Sequence, residues 1–220
     1  MKTLTLILSL IALGGAALGF SPTSETQADK TPSNEAIIAA QLPSYPLTKC
    51  VISGEELDSM GDPINMVVEG RLVRICCKGC AKSLKKDPKA AFAAIDKAVV
   101  AAQLKSYPLT RCMVSDEGLD ARGKPISYVH GTRLARFCCK GCVRAFKKSP
   151  AKFMAQIDEG LIKAQMADYP LNTCLISGEE LGADAKSFLY GTRLVRTCCK
   201  SCIKAFNKNP AKFVARLDAK

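Results

Sequence analysis

The chain has 220 residues and a formal net charge of +12, with twelve cysteines, one histidine and no tryptophan. A basic balance of this size usually indicates nucleic acid or an anionic membrane surface as the partner. Here the lysines are spread evenly over the chain, and the export predicted below argues against a nucleic-acid partner. No catalytic triad, phosphate-binding loop or carboxylate pair stands out in the sequence, so we expect no enzyme.

The first segment of the chain is predicted to direct export. Residues 1–19 contain one lysine and then an uncharged run, and Ala17-Leu18-Gly19 fits a signal-peptidase site. A retained membrane anchor is the alternative, although the run is just shorter than a spanning helix usually requires. The mature protein is therefore expected to be secreted or periplasmic, with no membrane span after signal removal. Residues 20–42 are predicted to be a linker rich in Ser, Thr and Pro, with a short lead-in helix.

The rest of the chain repeats three times. The segments "YPLTKCVISGEEL", "YPLTRCMVSDEGL" and "YPLNTCLISGEEL" begin 62 residues apart, at Tyr45, Tyr107 and Tyr169. Two further landmarks follow in each copy: a Gly-containing stretch that ends in Cys-Cys, and a stretch with a single Pro that ends in Asp. A fixed period of this length indicates one structural unit per repeat. The units are predicted to span residues 43–104, 105–166 and 167–220.

Each unit is predicted to form a β-hairpin followed by a helix. In "MVVEGRLVRICC", apolar and β-branched residues flank a turn at Glu69-Gly70, and we assign Gly131 and Gly191 to the same place in the other copies. An Asp-Pro, Ser-Pro or Asn-Pro pair then marks the start of a helix whose apolar residues recur one turn apart. In the first two copies this helix runs on towards the next unit. The predicted fold class is small α+β, with three tandem units.

Four cysteines recur in every unit. Their pattern is C-x25-C-C-x2-C in the first two copies and C-x23-C-C-x2-C in the third. Such short spacings let one turn direct two sulfurs at a common centre, which a distant cysteine then closes. A unit of about 60 residues has a small apolar core and commonly needs a metal or disulfides. The candidate metal ligands are Cys50, Cys76, Cys77, Cys80, Cys112, Cys138, Cys139, Cys142, Cys174, Cys198, Cys199 and Cys202.

The residues leave two interpretations of these cysteines open. The first is a thiolate site for Zn²⁺ or Cu⁺, with cations such as Arg74 and Lys78 offsetting its negative charge. The second is a disulfide-stapled extracytoplasmic interaction scaffold, favoured by the even count and by export. Neighbours such as Cys76 and Cys77 bond to each other only with strain, so two bridges per unit would be cramped. A thiol oxidoreductase is disfavoured because the βαβ pattern is missing.

Two further sets of residues are assigned structural roles. His130 is the only histidine, and we align it with Glu69 and Tyr190. It is therefore interpreted as a turn or surface residue rather than a ligand shared by the three units. The serines that lie two residues before a recurring glutamate are interpreted as turn residues: Ser53, Ser115 and Ser177.

The motif "CVISG", a hairpin that ends in "CCKGC", a bulky residue four positions on and a Pro-initiated helix together resemble the YHS/TRASH family of small metal-binding domains. The resemblance covers nearly the whole chain after the linker, three times. It implies treble-clef-like or zinc-ribbon-like units that handle zinc, copper or other soft metals. It also implies that the upstream cysteine and the C-x3-C pair are the ligands. The middle cysteines would complete the tetrahedron or remain free for exchange. A metal ion is the expected partner, and another exported protein is the second candidate.

Overall fold

The computed structural model describes residues 32–218, and the predicted signal segment lies outside this range. Each of the three units contains one antiparallel two-stranded hairpin, followed by a short helix and a second helix. This confirms the predicted α+β class and the threefold repetition. The elements in chain order are α1 Asn34–Gln41, β1 Ile64–Val68, β2 Arg71–Ile75, α2 Lys78–Lys86, α3 Lys89–Gln103, β3 Ile126–His130, β4 Arg133–Phe137, α4 Lys140–Lys148, α5 Pro150–Met166, β5 Lys186–Tyr190, β6 Arg193–Thr197, α6 Lys200–Lys208 and α7 Pro210–Asp218.

The hairpin turns correct one detail of the sequence alignment. In β1–β2, Val68 pairs with Arg71, and both turn residues have positive φ: 50° at Glu69 and 72° at Gly70. In the other hairpins the glycine comes first in the turn, with φ of 60° at Gly131 and 65° at Gly191. The first hairpin therefore has the two positive φ angles of a type I′ turn, whereas glycine at the first position is typical of type II′.

The register consequently shifts two of the predicted equivalences by one residue. Gly131 occupies the position of Glu69, not that of Gly70. His130, which pairs with Arg133, corresponds to Val68 rather than to Glu69, while Tyr190 is its counterpart in the third unit. The predicted alignment was wrong here because it matched the glycines, although the two turn types need glycine at different positions.

A short helix in each unit was missed by the sequence analysis. Helix α2 begins directly after Cys77, and α4 and α6 begin at the equivalent position. The second helix does begin at the predicted Asp-Pro, Ser-Pro or Asn-Pro pair. Asp87 Oδ1 accepts a hydrogen bond from the Lys89 amide at 3.0 Å, whereas the Ser149 side chain makes no capping bond. Each unit is therefore a hairpin with two helices, and the sharp break at Pro separates them.

Each hairpin is covered on both faces. Leu72 and Val73 are adjacent in β2 and point to opposite faces, yet their side chains are 1% and 0% exposed. Val73 packs in the core of its own unit with Leu84 and Ile95. The opposite face meets the helix that precedes the unit, because α1 contacts β1–β2, α3 contacts β3–β4 and α5 contacts β5–β6. The long helices therefore join consecutive units, as the sequence predicted.

A glutamine at the end of each of these helices bonds to the hairpin. Gln41 Nε2 donates to the Gly70 carbonyl at 2.9 Å, and Gln41 Oε1 accepts from the Leu72 amide at 2.8 Å. Gln103 and Gln165 repeat both bonds in the next two units, at 2.8 and 2.9 Å. Each glutamine thus fixes the position of a helix end relative to the next hairpin.

The turns of the second and third hairpins converge on the segment after α1. The Thr132 hydroxyl donates to the Gln41 carbonyl at 2.8 Å and lies 2.7 Å from the Ser44 hydroxyl. Gly191 lies against Pro43 so closely that an added Cβ would come within 2.7 Å of the Pro43 carbonyl oxygen. These contacts join the three units into one compact body.

Candidate metal centre

The first ligand of each site lies in a tight turn before the hairpin. The Gly54 amide donates to the Cys50 carbonyl at 2.8 Å, and the Cys50 amide donates to the Glu55 carbonyl at 2.7 Å. Gly54 has a φ of 79°, which favours glycine. Its counterpart in the second unit is Asp116, with a φ of 57°, and an aspartate tolerates this region better than most residues. The turn holds the Cys50 side chain in a buried position.

The second and third ligands lie where the hairpin meets the short helix. Cys76 follows the last residue of β2, and Cys80 lies in the first turn of α2. The Sγ atoms of this pair are 3.9 Å apart, and the equivalent pairs are 3.7 and 3.6 Å apart. Four sulfurs at 2.3 Å from a zinc ion would be separated by about 3.8 Å. The C-x3-C pair therefore already has the spacing of two corners of a thiolate tetrahedron.

Three sulfurs converge in each unit, and they are the three that the resemblance implies. The Sγ atoms of each group all lie within 4.8 Å of one another. In the first two units the three cysteines are buried, whereas in the third only the upstream cysteine is buried. The groups are Cys50, Cys76 and Cys80; Cys112, Cys138 and Cys142; and Cys174, Cys198 and Cys202.

The middle cysteine of each unit lies beside this group rather than within it. Cys77 is half-buried, and its Sγ is 3.7 Å from the Cys80 Sγ. Cys139 has the same relation to Cys142, at 3.6 Å. The amides at the start of the short helix lower the pKa of the Cys77 and Cys139 thiols. In the first two units the middle sulfur is thus close to one sulfur of the triad without belonging to the triad.

All twelve cysteines are free thiols. The C-x3-C sulfurs are separated by 3.6 to 3.9 Å and all three sulfurs of a cluster lie within 4.8 Å, whereas a disulfide bond is about 2.05 Å long. The clusters therefore have the separation of ligands around a common ion and not that of bonded pairs.

The thiols of one site differ strongly in acidity. Burial raises the pKa of Cys50, but hydrogen bonds from the Ser53 hydroxyl and from nearby amides outweigh it and lower the value to about 6. Burial raises the pKa of Cys80 to about 12. The upstream and last cysteines of the other units show the same values. A metal ion that bound here would meet one thiolate already formed and would displace protons from the other thiols.

Two sets of side chains around the sulfurs have roles that the sequence analysis did not assign. The Ser53 hydroxyl lies 3.3 Å from the Cys76 Sγ, and Ser115 and Ser177 repeat this contact at 3.3 and 3.5 Å. Arg74, predicted to offset the thiolate charge, lies over the Tyr45 ring, with its Cζ 5.9 Å from the ring centroid. The recurrence of this serine in all three units was the sequence signal that could have indicated its contact with the sulfur.

His130 is exposed at the end of β3, and its ring contacts Phe146, with centroids 5.5 Å apart. Among residues 32–218, the groups that can hold a metal contain cysteines alone. No helix in the described part of the chain combines the length and apolar character needed to cross a membrane. Comparison with family models, curated proteins and solved structures finds no match to this chain. Fold and site together define a small α+β protein with three units, each carrying a cysteine triad able to hold a metal ion.

Proposed function

We propose that the protein is an exported, non-enzymatic metal-binding protein that holds one soft metal ion in each of its three units, for structure or for metal handling. The observation that carries this proposal is the convergence of three sulfurs in every unit. Three independent copies of the same geometry are a stronger argument than one. Export follows from the N-terminal sequence, which carries the features of a secretory signal.

Zn²⁺ is the proposed ion, with Cu⁺ as the alternative. Sites built from thiolates alone favour these two ions over hard cations. Zinc in structural sites is usually four-coordinate, and the middle cysteine is the nearest candidate for the fourth position in the first two units. Its sulfur lies 3.7 Å from that of Cys80 and 3.6 Å from that of Cys142 in the respective units. That separation again matches the edge of a zinc–thiolate tetrahedron of about 3.8 Å.

We further propose that the units are treble-clef-like members of the YHS/TRASH type. Two features support this assignment. One ligand comes from a tight turn before a hairpin, and the others come from the hairpin end and the first turn of a helix. Small units with modest apolar cores then gain stability from the ion, because metal binding to a site absent from the unfolded chain is folding free energy.

Intact mass of the mature protein, measured first under native and then under denaturing conditions, tests this proposal. We expect three bound ions in the native spectrum and twelve free thiols after denaturation. The double variant Cys76→Ser/Cys80→Ser should bind two ions. A native protein without metal, lighter by about two daltons for each disulfide formed, would instead support the interaction scaffold.

A further inference from the structure

The three sites differ in how well they are shielded from solvent. The cysteines of the first and second sites are part of the apolar core clusters of their units. The third core cluster consists of Leu175, Val195, Phe206 and Leu217 and does not include its cysteines. Cys198 and Cys202 are only partly buried, whereas their counterparts in the other two units are buried. Two of the three candidate ligands of the third site are therefore less shielded from solvent than their counterparts.

A carboxylate lies against a sulfur of the third site. Glu179 Oε2 is 3.3 Å from the Cys198 Sγ, and its other described partner is the Ser177 hydroxyl at 3.2 Å. In the second unit the equivalent Glu117 is 3.6 Å from the sulfur and is bound by Arg122 through two hydrogen bonds of 2.8 Å. The Glu179 carboxylate forms no ion pair among the described residues, so it is free to act as a ligand.

The middle cysteine of the third site also differs from its counterparts. Ser201 replaces the glycine found at positions 79 and 141, and its hydroxyl lies 2.9 Å from the Cys199 Sγ. The Cys199 Sγ lies 3.7 Å from Cys198, the exposed ligand that Glu179 also contacts. An alternative sulfur and an alternative oxygen thus flank the same metal ligand.

We propose that the third site is where the protein exchanges its metal ion with a thiol-bearing donor or acceptor, while the first two sites retain theirs as structural ions. This inference rests on the proposed function, since it presupposes that all three sites bind metal. In the exchange step, a metal–sulfur bond forms to the incoming thiolate as the bond to Cys198 breaks. The oxidation state of the ion is unchanged, and the released Cys198 thiolate takes a proton from water.

The neighbouring groups stabilise the intermediate stage of this exchange. Carboxylate oxygen is an accepted zinc ligand, so Glu179 can occupy the position that Cys198 leaves. Cys199 can do the same with sulfur. At the first site no described carboxylate lies within hydrogen-bonding distance of a cluster sulfur, and apolar side chains surround the ligands. An incoming thiolate there would have to displace packed side chains before it reached the ion.

Release kinetics of the zinc-loaded full chain test the proposal. After addition of an excess of a chromogenic zinc chelator, we expect one ion to leave at least about tenfold faster than the other two. The Cys198→Ser/Cys202→Ser variant should bind two ions and lose the fast phase. The matched variant Cys138→Ser/Cys142→Ser should keep the fast phase and lose one slow phase. A single rate for all three ions, or a fast phase that survives in the Cys198→Ser/Cys202→Ser variant, would overturn the proposal.

A milder pair of variants tests the carboxylate without removing a ligand. Glu179→Gln keeps the shape of the side chain and should slow the fast phase by about tenfold, whereas Glu55→Gln, at the equivalent position of the first unit, should leave all phases unchanged. Because both side chains lie at the surface of their turns, both variants should fold. An unchanged fast phase in Glu179→Gln would refute the role of the carboxylate. Failure of the proposed function is distinguishable, because the loaded protein would then carry no metal in its native mass spectrum.

Discussion

The first and third units share one motif but obtain their cores in different ways. The core of the first unit includes Val129 and Leu134, which belong to the hairpin of the second unit. Among the described residues no unit follows the third one, and its core cluster has four buried residues. The core of the first unit is thus completed by its neighbour, as in other repeat proteins, whereas the described core of the third unit consists of its own side chains.

The central side chain of each unit reflects this difference. Leu84 in the first unit and Phe206 in the third are equivalent, and both are fully buried. The Phe206 ring makes edge contacts with Phe188 and Tyr190, at centroid distances of 5.3 and 5.4 Å. Aromatic pairs in this geometry contribute more than the area that they bury. In the third unit the Phe206 ring therefore fills the centre of the core. In the first unit aliphatic side chains from two hairpins fill the equivalent space.

The largest loss of stability is expected for Phe206→Ala. This variant tests whether the core of the third unit is independent of the others. Truncation of a buried phenylalanine costs about 3–5 kcal/mol, and we expect the loss to stay within the third unit. Leu84→Ala, at about 2–5 kcal/mol, should in addition reduce the protection of β3–β4, because Val129 and Leu134 lie in the same cluster. Hydrogen exchange followed by segment measures both responses.

A conservative variant gives the control for this experiment. Phe206→Leu reproduces the side chain of the first unit and, as a smaller change of volume, should cost under about 1.5 kcal/mol. Equal loss of protection in all three units after Phe206→Ala would show that the third core is not independent. Loss confined to the first unit after Leu84→Ala would show that the shared cluster does not couple the first two units.

The sequence predicted the repeated architecture because the strongest local signals are periodic and occur three times. The hairpin at Glu69-Gly70 and the Pro-initiated helices were found in this way. The short helices were missed because "KGCAKSLKK" has glycine in its first turn and no Ser, Thr, Asn or Asp at its cap. Its buried residues are only the i, i+4 pair Cys80 and Leu84. This short apolar pattern is enough for a helix because the pair packs against the hairpin.

For the site, the family resemblance implied which three sulfurs of each unit converge, but not how they are surrounded. Cys76 follows the last residue of β2 and Cys80 lies in the first turn of the short helix, so the convergence of this pair is set by local geometry within five residues. The exposure of Cys198 and Cys202 depends instead on the composition of the third core and on the absence of a following unit among the described residues. Contacts of this kind join residues that are distant in sequence, and no local pattern encodes them.

The hairpin turns provide a graded test of how closely the units pack on one another. An alanine at positive φ costs about 1–2 kcal/mol in itself, and Gly70→Ala should cost no more, because its Cβ would meet open space. Gly131→Ala should cost more, since its Cβ would displace the Gln41 side chain. Gly191→Ala should cost the most, about 2–3 kcal/mol, because the Pro43 backbone cannot move aside.

Thermal unfolding of the three single variants checks this order. A Gly191→Ala protein as stable as Gly70→Ala would mean that the third turn does not pack on the segment after α1. The second turn has an independent check, because the buried Thr132 hydroxyl bonds to the same segment. Thr132→Val removes that bond with little change in shape, and it should destabilise the second turn without affecting the third.

Effects about as small as that of Gly70→Ala are expected at the glutamine joints, and they sharpen the comparison because all three joints have the same bonds. Replacing Gln41, Gln103 or Gln165 by alanine removes one donor and one acceptor and should cost about 1–2 kcal/mol each. Amide exchange should accelerate at the hairpin residue that loses its acceptor, which is Leu72, Leu134 or Leu194. The change to glutamate keeps an acceptor for that amide while it removes the donor, so it should retain the protection but still lose stability. An equal loss of stability at the three joints would show that the units differ in their cores. A larger loss at Gln165 would show instead that they differ at the junction to the third unit.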